Sequence, residues 1–297
     1  MSKPFKFKQF TVNQDQCAMK IGTDSVLLGA WTSLKNNPFS ILDIGAGTGI
    51  LSLMLAQRSN AELIDAIEID DNAYEQCVDN FEQSPWGDRL FCYHASLEEF
   101  TEEIEDKYEL IVSNPPFYSE DYKTENNQRD LARFADAMPF EHLIESVSKL
   151  LSEHGIFTVI IPFKEEVNFI DLASKANLFP NKILHVKGNP TSNIKRSLLV
   201  FSFRESDIKK SELIISPTHN LEIRAMRNVS ERNELLLLLK EIGTPLSFDL
   251  LAARQRASEL VALGLGVADA AHLAFAEQAL AAFVTVDDRL LRKYRQL

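Results

Sequence analysis

Four consecutive residues, Asn114-Pro115-Pro116-Phe117, end the apolar run "YELIVS" with groups suited to gripping a planar amine. Proline fixes φ and donates no backbone hydrogen bond, so the chain leaves sheet pairing abruptly at this point. A loop built only to turn would use Gly or Asn-Gly. An amino nitrogen conjugated to a ring is a poor nucleophile because its lone pair is delocalised. Two acceptors, the Asn114 amide oxygen and the Pro115 carbonyl, can hold its N–H groups, localise density and aim the nitrogen at an electrophile. Phe117 offers a ring to stack on a base, which an RNA stem or loop presents only after unstacking. No general base is required, since an alkylated amine sheds its proton readily once cationic; Glu120 and Asp121 read as solvated loop acids.

The electrophile needs its own cradle, and "ILDIGAGTGIL" has the form of one. Gly45, Gly47 and Gly49 stand on a strand-to-helix turn, where missing side chains let the backbone turn tightly and approach a ligand. The alternate spacing, with Asp43 ahead of it, differs from the dinucleotide pattern G-x-G-x-x-G. No Lys-Ser/Thr follows, which excludes a triphosphate loop. Glu68, closing the next apolar run, lies where a carboxylate can accept both hydroxyls of a ribose.

The elements that must position these groups alternate. "FSILDIGAG", "LIDAIEID", "YELIVSNPP", "IFTVIIPF", "KILHVKG" and "RSLLVFSF" read as strands, with "GILSLMLAQR", "NAYEQCVDNFEQS" and "FEHLIESVSKLLSEHG" as helices. Apolar strands alternating with helices predict a doubly wound, Rossmann-like α/β sheet. Ligands of such sheets sit beyond the carboxyl ends of the strands, where both motifs fall.

On these residues the sequence resembles class I S-adenosylmethionine-dependent methyltransferases over roughly residues 10–205, which implies a seven-stranded sheet. The resemblance gives the methionine part of S-adenosylmethionine to Asp43, Gly45, Gly47 and Gly49, and the ribose to Glu68. It sets Ser96 near the adenine, where the family often has Asp, and Asn114 between cofactor and acceptor. The N-P-P-[FY] pattern is shared by enzymes acting on adenine N6, guanine N2 in RNA and glutamine amides, so it fixes the atom type and leaves the substrate open. The entry "MKIGTDSVLLGAW", with "RDLARFADAMPFEHLIESVSKLLSEHG" and "NIKRSLLVFSF", is similar to the bacterial tRNA1(Val) adenine-37 N6-methyltransferase family. That likeness implies methyl transfer to adenine N6 in a tRNA anticodon loop, with Thr23 and Asp24 as cap and pocket wall at the start of a helix.

Composition is that of an ordinary globular protein, and the net charge of −12 argues mildly against a nucleic-acid partner. The charge is uneven, however. Lys3, Lys6, Lys8 and Lys20 near the start, and Lys182, Lys187, Lys195 and Arg196 later, are either solvated faces or a basic rim for tRNA phosphate. No apolar run is long enough for a membrane span. Three cysteines without CxxC spacing argue against disulfides and thiolate zinc sites, so a cytoplasmic protein is expected.

A compositional join falls near residue 212. Of 10 basic residues after it 8 are Arg, whereas 15 of the 21 before it are Lys, which suggests two modules or a fusion: a methyltransferase domain over 1–212 and a second segment over 213–297. The latter resembles a partial α/β PIN nuclease fold through "ADAAHLA" and "FVTVDDRLL". That family binds Mg²⁺ or Mn²⁺ with three or four acids and cleaves RNA through a metal-activated water. Glu222, Asp269 and Asp287 would be the matching metal ligands, while the family's leading strand and its Asp have no room in this chain. A metal-dependent ribonuclease is thus the alternative of a different class.

Overall fold

The computed structural model describes residues 4–7, 9–116, 138–187, 193–214 and 249–278. In chain order the elements are β1 (Phe5–Lys6), β2 (Thr11–Val12), α1 (Thr23–Trp31), β3 (Ser40–Ile44), α2 (Ile50–Arg58), β4 (Leu63–Glu68) and α3 (Asp71–Glu82). There follow β5 (Leu90–His94), α4 (Leu97–Glu103), β6 (Tyr108–Ser113), α5 (Phe140–Leu150), β7 (Leu151–Pro162), a 3-10 turn at Phe163–Glu165 and α6 (Glu166–Lys175). The last are β8 (Phe179–Lys187), β9 (Arg196–Ser202), β10 (Lys209–Ile214), α7 (Leu250–Ala262) and α8 (Val267–Gln278). By compactness the chain divides into two units, one of Met1–Ile183 with Leu198–Lys209, the other of Leu184–Ser197 with Lys210–Leu297.

The sheet has the order β10-β8-β9-β7-β6-β3-β4-β5, so it holds eight strands where the sequence predicted seven. The additional strand is β10, which crosses the compositional join near residue 212. The pairs β3–β4, β4–β5, β3–β6 and β6–β7 are parallel. All five residues of β3 are buried, as expected for a strand covered on both faces. Strand order reverses at β3, whose chain continues towards β4 on one side while β6 lies on the other. That is a topological switch point, and the crevice above it is where such sheets take ligands.

One boundary differs from expectation. The helix predicted to run to Gly155 ends at Leu150, and β7 begins at Leu151. Tyr108 pairs with Leu151 but Leu110 with Ile156, so an irregularity absorbs the intervening residues of β7. A Cβ at Gly155 would lie 2.9 Å from the Tyr108 carbonyl oxygen, which is why this bend carries glycine.

The core beside the switch point gathers Leu42, Ile44, Ile67, Ile111, Leu143, Val147, Phe157, Phe169 and Phe201 between sheet and helices. Helices α1 and α2 approach closely, since a Cβ at Gly29 would meet Met54 Sδ at 2.7 Å. In the second unit α7 and α8 pack around Leu260, Leu265, Ala270, Leu273 and Ala274. Asp249 caps α7, and Arg256 bridges Glu259 and Glu277. No helix among the described residues is long and apolar enough to cross a membrane.

Candidate active site

Parallel pairing of Ile44 with Ser113 brings the two sequence motifs side by side, since the glycine turn begins one residue after Ile44 and Asn114 follows Ser113. The Ser113 hydroxyl donates to the Ile44 carbonyl at 2.9 Å and ties the two strand ends together. Gly45, Gly47 and Gly49 have φ of 72°, 55° and 76°, a left-handed run that strains any residue with a side chain. A Cβ at Gly45 or Gly47 would enter open space, whereas at Gly49 it would lie 2.5 Å from the Phe81 ring and 2.8 Å from Cys77 Sγ. The first two glycines thus leave room for a ligand, and the third lets the turn settle onto α3.

Asp43 is fully buried at the end of β3. Its Oδ2 accepts from the Ser52 amide at 3.1 Å and the Ser52 hydroxyl at 2.8 Å, both on α2. Its Oδ1 is buried without a partner among the described residues. Burial pushes the carboxyl up to about 7, the Ser52 bonds oppose this, and the Glu68 charge adds to it. Glu68 holds the turn from the neighbouring strand: Oε2 accepts from the Gly47 amide at 2.7 Å, and Oε1 from the amides of Ile69 and Asp70 at 2.9 and 3.0 Å. A carboxylate oxygen has two lone pairs, so Oε2, with one donor, retains capacity for a hydroxyl.

Helix α1 begins differently from expectation. Its N-cap is Gly22, which has no side chain to offer, and Thr23 is already inside the helix. The Thr23 hydroxyl is buried without a partner among the described residues, so it does not cap the helix, and Asp24 is the acid of the first turn. Asn114 is half-buried, and its Nδ2 donates to Ser25 Oγ on that same turn at 2.9 Å. Pro115 is buried, while Phe117 lies outside the described residues. Ser96 caps α4 in a reciprocal box, its hydroxyl 2.7 Å from Glu99 Oε2 and its amide 2.9 Å from the same oxygen. The Ser96 side chain thus has a structural duty at the place expected to meet adenine.

Several residues here escape sequence reasoning. Ser52 and Ser25 carry no motif; Ser52 acts on Asp43, nine residues earlier, and Ser25 on Asn114, 89 residues later. Ile69, directly after Glu68, is 61% exposed, an apolar side chain where a flat ring could lie; its position beside the acid was the available signal. Asn80, almost fully buried on α3, donates to the carbonyls of Asn13 and Thr48, both at 2.9 Å, and accepts from the Asn13 amide at 2.8 Å. Gln76 likewise accepts from the Gln16 amide at 2.8 Å, so the segment before α1 is sewn along α3 beside the glycine turn. Cys17 on this segment is held up to about 12, by burial first and then by Glu68, Asp70 and Asp15.

Of the basic residues, Lys187 is paired with Glu212 at 2.8 Å. Lys182 lies 5.1 Å from the centre of the Trp31 ring, and burial with the charges of Lys35 and Lys209 depresses its ammonium pKa. Lys3 and Lys8 lie outside the described residues, as do Glu222 and Asp287. Asp269 sits in the first turn of α8, and no group of three or more His, Cys, Asp or Glu among the described residues could hold a metal ion.

The donor set fits a sulfonium cofactor with an amino-acid end and a nucleoside end. It supplies open space over two glycines, two buried oxygens without a partner among the described residues, and a carboxylate with a spare acceptor. Residues 21–166 match the family described as methyltransferase small domain. The tRNA1(Val) (adenine(37)-N6)-methyltransferase of Flavobacterium johnsoniae is 67% identical over 212 residues, covering 71% of this chain and 90% of that protein. The Bacteroides fragilis protein of the same name is 45% identical over 216 residues, covering 72% and 90%. Among solved structures, a predicted O-methyltransferase from Agrobacterium tumefaciens has a TM-score of 0.50 at 15% identity, covering 76% of this chain and 99% of that one, a likeness of fold alone.

Proposed function

The chain belongs to the tRNA1(Val) (adenine(37)-N6)-methyltransferase family, and we propose the following division of labour among its residues. It is an S-adenosylmethionine-dependent enzyme that methylates the N6 amino group of adenine in a tRNA anticodon loop. When bound, the cofactor supplies an electrophilic methyl group on a cationic sulfur. The turn from Gly45 to Gly49 would receive the methionine part, and the Asp43 Oδ1 and Thr23 hydroxyl, buried and without a partner among the described residues, would be available to its polar atoms. Asp24 stands in the pocket wall. Glu68 would accept a ribose hydroxyl at Oε2 while its bonds to Gly47, Ile69 and Asp70 hold the turn in shape. Ile69 would offer an apolar face to the adenine, and Ser96 would stand near its edge.

On the acceptor side, the Asn114 amide oxygen and the Pro115 carbonyl take the two N–H hydrogens of the adenine amine. Holding both aligns the nitrogen lone pair for in-line attack and leaves the protein no proton to remove before bond formation. Phe117 stacks on the unstacked base. The observation that carries this reading is the Ile44–Ser113 pairing, which sets the acceptor clamp directly beside the cofactor turn. The lysines near Trp31 give tRNA phosphate a foothold, and work on tRNA places the protein in the cytoplasm.

The test is transfer from labelled S-adenosylmethionine to tRNA in EDTA, with digestion to nucleosides. Label in N6-methyladenosine that falls at least a hundredfold in Asn114→Ala is the expected result, about 2.7 kcal/mol of transition-state stabilisation. Label in N2-methylguanosine, or in a protein glutamine acceptor, would keep the clamp and change the substrate. The PIN-like reading of 213–297 rests on its sequence resemblance, and RNA cleavage that needs Mn²⁺ is its separate signature.

A further inference from the structure

We infer that Ser25 is a positioning residue for the acceptor clamp: from the first turn of α1 its hydroxyl holds the Asn114 amide with the oxygen turned towards the substrate amine. This rests on the reading of Asn114 as one jaw of that clamp. An asparagine amide has a donor end and an acceptor end that exchange on a half-turn. Only one orientation is productive, because an adenine amino group presents N–H donors, and the amide nitrogen turned towards it would oppose donor with donor. The backbone around Asn114 does little to choose. Ladder pairing with β3 extends only as far as Ser113, and Pro115 and Pro116 have no N–H with which to anchor the loop.

The choice is made from across the fold. Asn114 Nδ2 donates to Ser25 Oγ at 2.9 Å, between residues 89 apart in sequence. A serine in the first turn of a helix ordinarily turns its hydroxyl onto local backbone. Here it meets the end of β6 instead. With Nδ2 donating to Ser25 Oγ, Oδ1 is the end of the amide left for the substrate amine. The helix that supplies the hydroxyl is itself fixed against the cofactor side of the site. The Arg58 guanidinium of α2 donates to the carbonyls of Gly29 and Thr32 at the far end of α1, and Gly29 packs on Met54. The same α2 carries Ser52, which holds Asp43. A chain of contacts thus runs from the methyl-donor pocket through α2 and α1 to the amide that aims the acceptor, which registers the two reactants against each other.

The experiment measures methyl transfer to tRNA by the full chain, with single-turnover rates where turnover is slow. Ser25→Ala is expected to lower kcat about five- to tenfold, the loss of one hydrogen bond, with KM for tRNA and affinity for S-adenosylmethionine unchanged. Ser25→Thr, which keeps the hydroxyl, should stay within about twofold of the parent on the same reasoning. Ser25→Cys retains shape with a weak acceptor, should lose nearly as much as Ser25→Ala, and serves if the alanine variant fails to fold. In an Asn114→Ala background the Ser25 change should cost nothing further, because its route has been removed. Parental kcat in Ser25→Ala and Ser25→Cys beside a disabled Asn114→Ala would overturn the Ser25 assignment and leave the clamp standing. A loss undiminished in the Asn114→Ala background would also overturn it, by assigning the effect to the helix itself. An active Asn114→Ala enzyme would remove the clamp and this inference with it.

Discussion

Asp43 shows how one residue can be costly to the fold and useful to the site. Its carboxyl is buried, one oxygen satisfied by Ser52 and the other by nothing among the described residues. A carboxyl whose pKa rises on folding, here from 3.8 to about 7, stabilises the fold while protonated. That contribution is fully present below pH about 4 and is lost as pH climbs through about 7. An asparagine side chain in its place would offer the same acceptor to Ser52 without ionising. Asp43→Asn is therefore expected to gain thermal stability relative to the parent between pH 5 and pH 8, by roughly 2–3 kcal/mol. Cofactor-free melting curves at both values check this, and a constant difference between the two proteins would contradict it. The same substitution should weaken S-adenosylmethionine binding by roughly tenfold or more, since a charged acceptor becomes a neutral one. Both outcomes together would mean that aspartate at this position serves the ligand at the apoprotein's cost.

At the scale of elements, the segment before α1 depends on amide side chains of α3. Asn80 satisfies three backbone groups at once, two on Asn13 and one on Thr48 inside the glycine turn. Asn80→Ala leaves all three without that partner in a buried place. The expected loss is roughly 2–3 kcal/mol and several degrees of melting temperature. Affinity for S-adenosylmethionine should fall as well, because Thr48 belongs to the turn; calorimetric titration beside a melting curve reads both. This stitching was illegible in the sequence, where "FTVNQDQCAMK" shows only polar residues, and the partners of Asn13 and Gln16 lie 60 to 67 residues away. The glycine turn and the NPP step were legible because their information is local: strand, special backbone, helix. Ser25 was not, since its partner Asn114 lies 89 residues away and meets it only once β6 is in place. The early end of α5 was missed for a related reason. In "KLLSEHGIF" the apolar residues suit either period, and the close approach of Gly155 to the Tyr108 backbone decides it. Likewise a glycine at the head of α1 displaced Thr23 from the capping role its residue type suggested.

At the scale of the whole molecule, an acidic protein of net charge −12 must hold a polyanion. Uniform attraction is unavailable, so binding has to come from places where positive charge is concentrated. Lys187 is a poor candidate because Glu212 already pairs with it. Lys182 is a better one. It lies over the Trp31 ring, its ammonium is partly desolvated, and Lys35 and Lys209 bear on it with like charge. An anion relieves that repulsion, so a phosphate gains more there than at an isolated surface lysine. Trp31 ends the helix whose first turn holds Asn114, and the stretch from Ser25 to Trp31 rises roughly 9 Å, within reach of nucleotides flanking a base in the clamp. Removing Lys35 and Lys182 together should therefore weaken tRNA binding at low salt and raise KM while leaving kcat close to the parent's. It should also flatten the slope of log affinity against log salt by about 0.7–0.9 for each phosphate that is no longer neutralised. Anisotropy titrations of labelled tRNA from about 50 to about 200 mM salt are sufficient to read that change. An unaltered slope would move the phosphate contacts elsewhere on the molecule, whereas an altered slope with a collapsed kcat would mean that these lysines support the site itself.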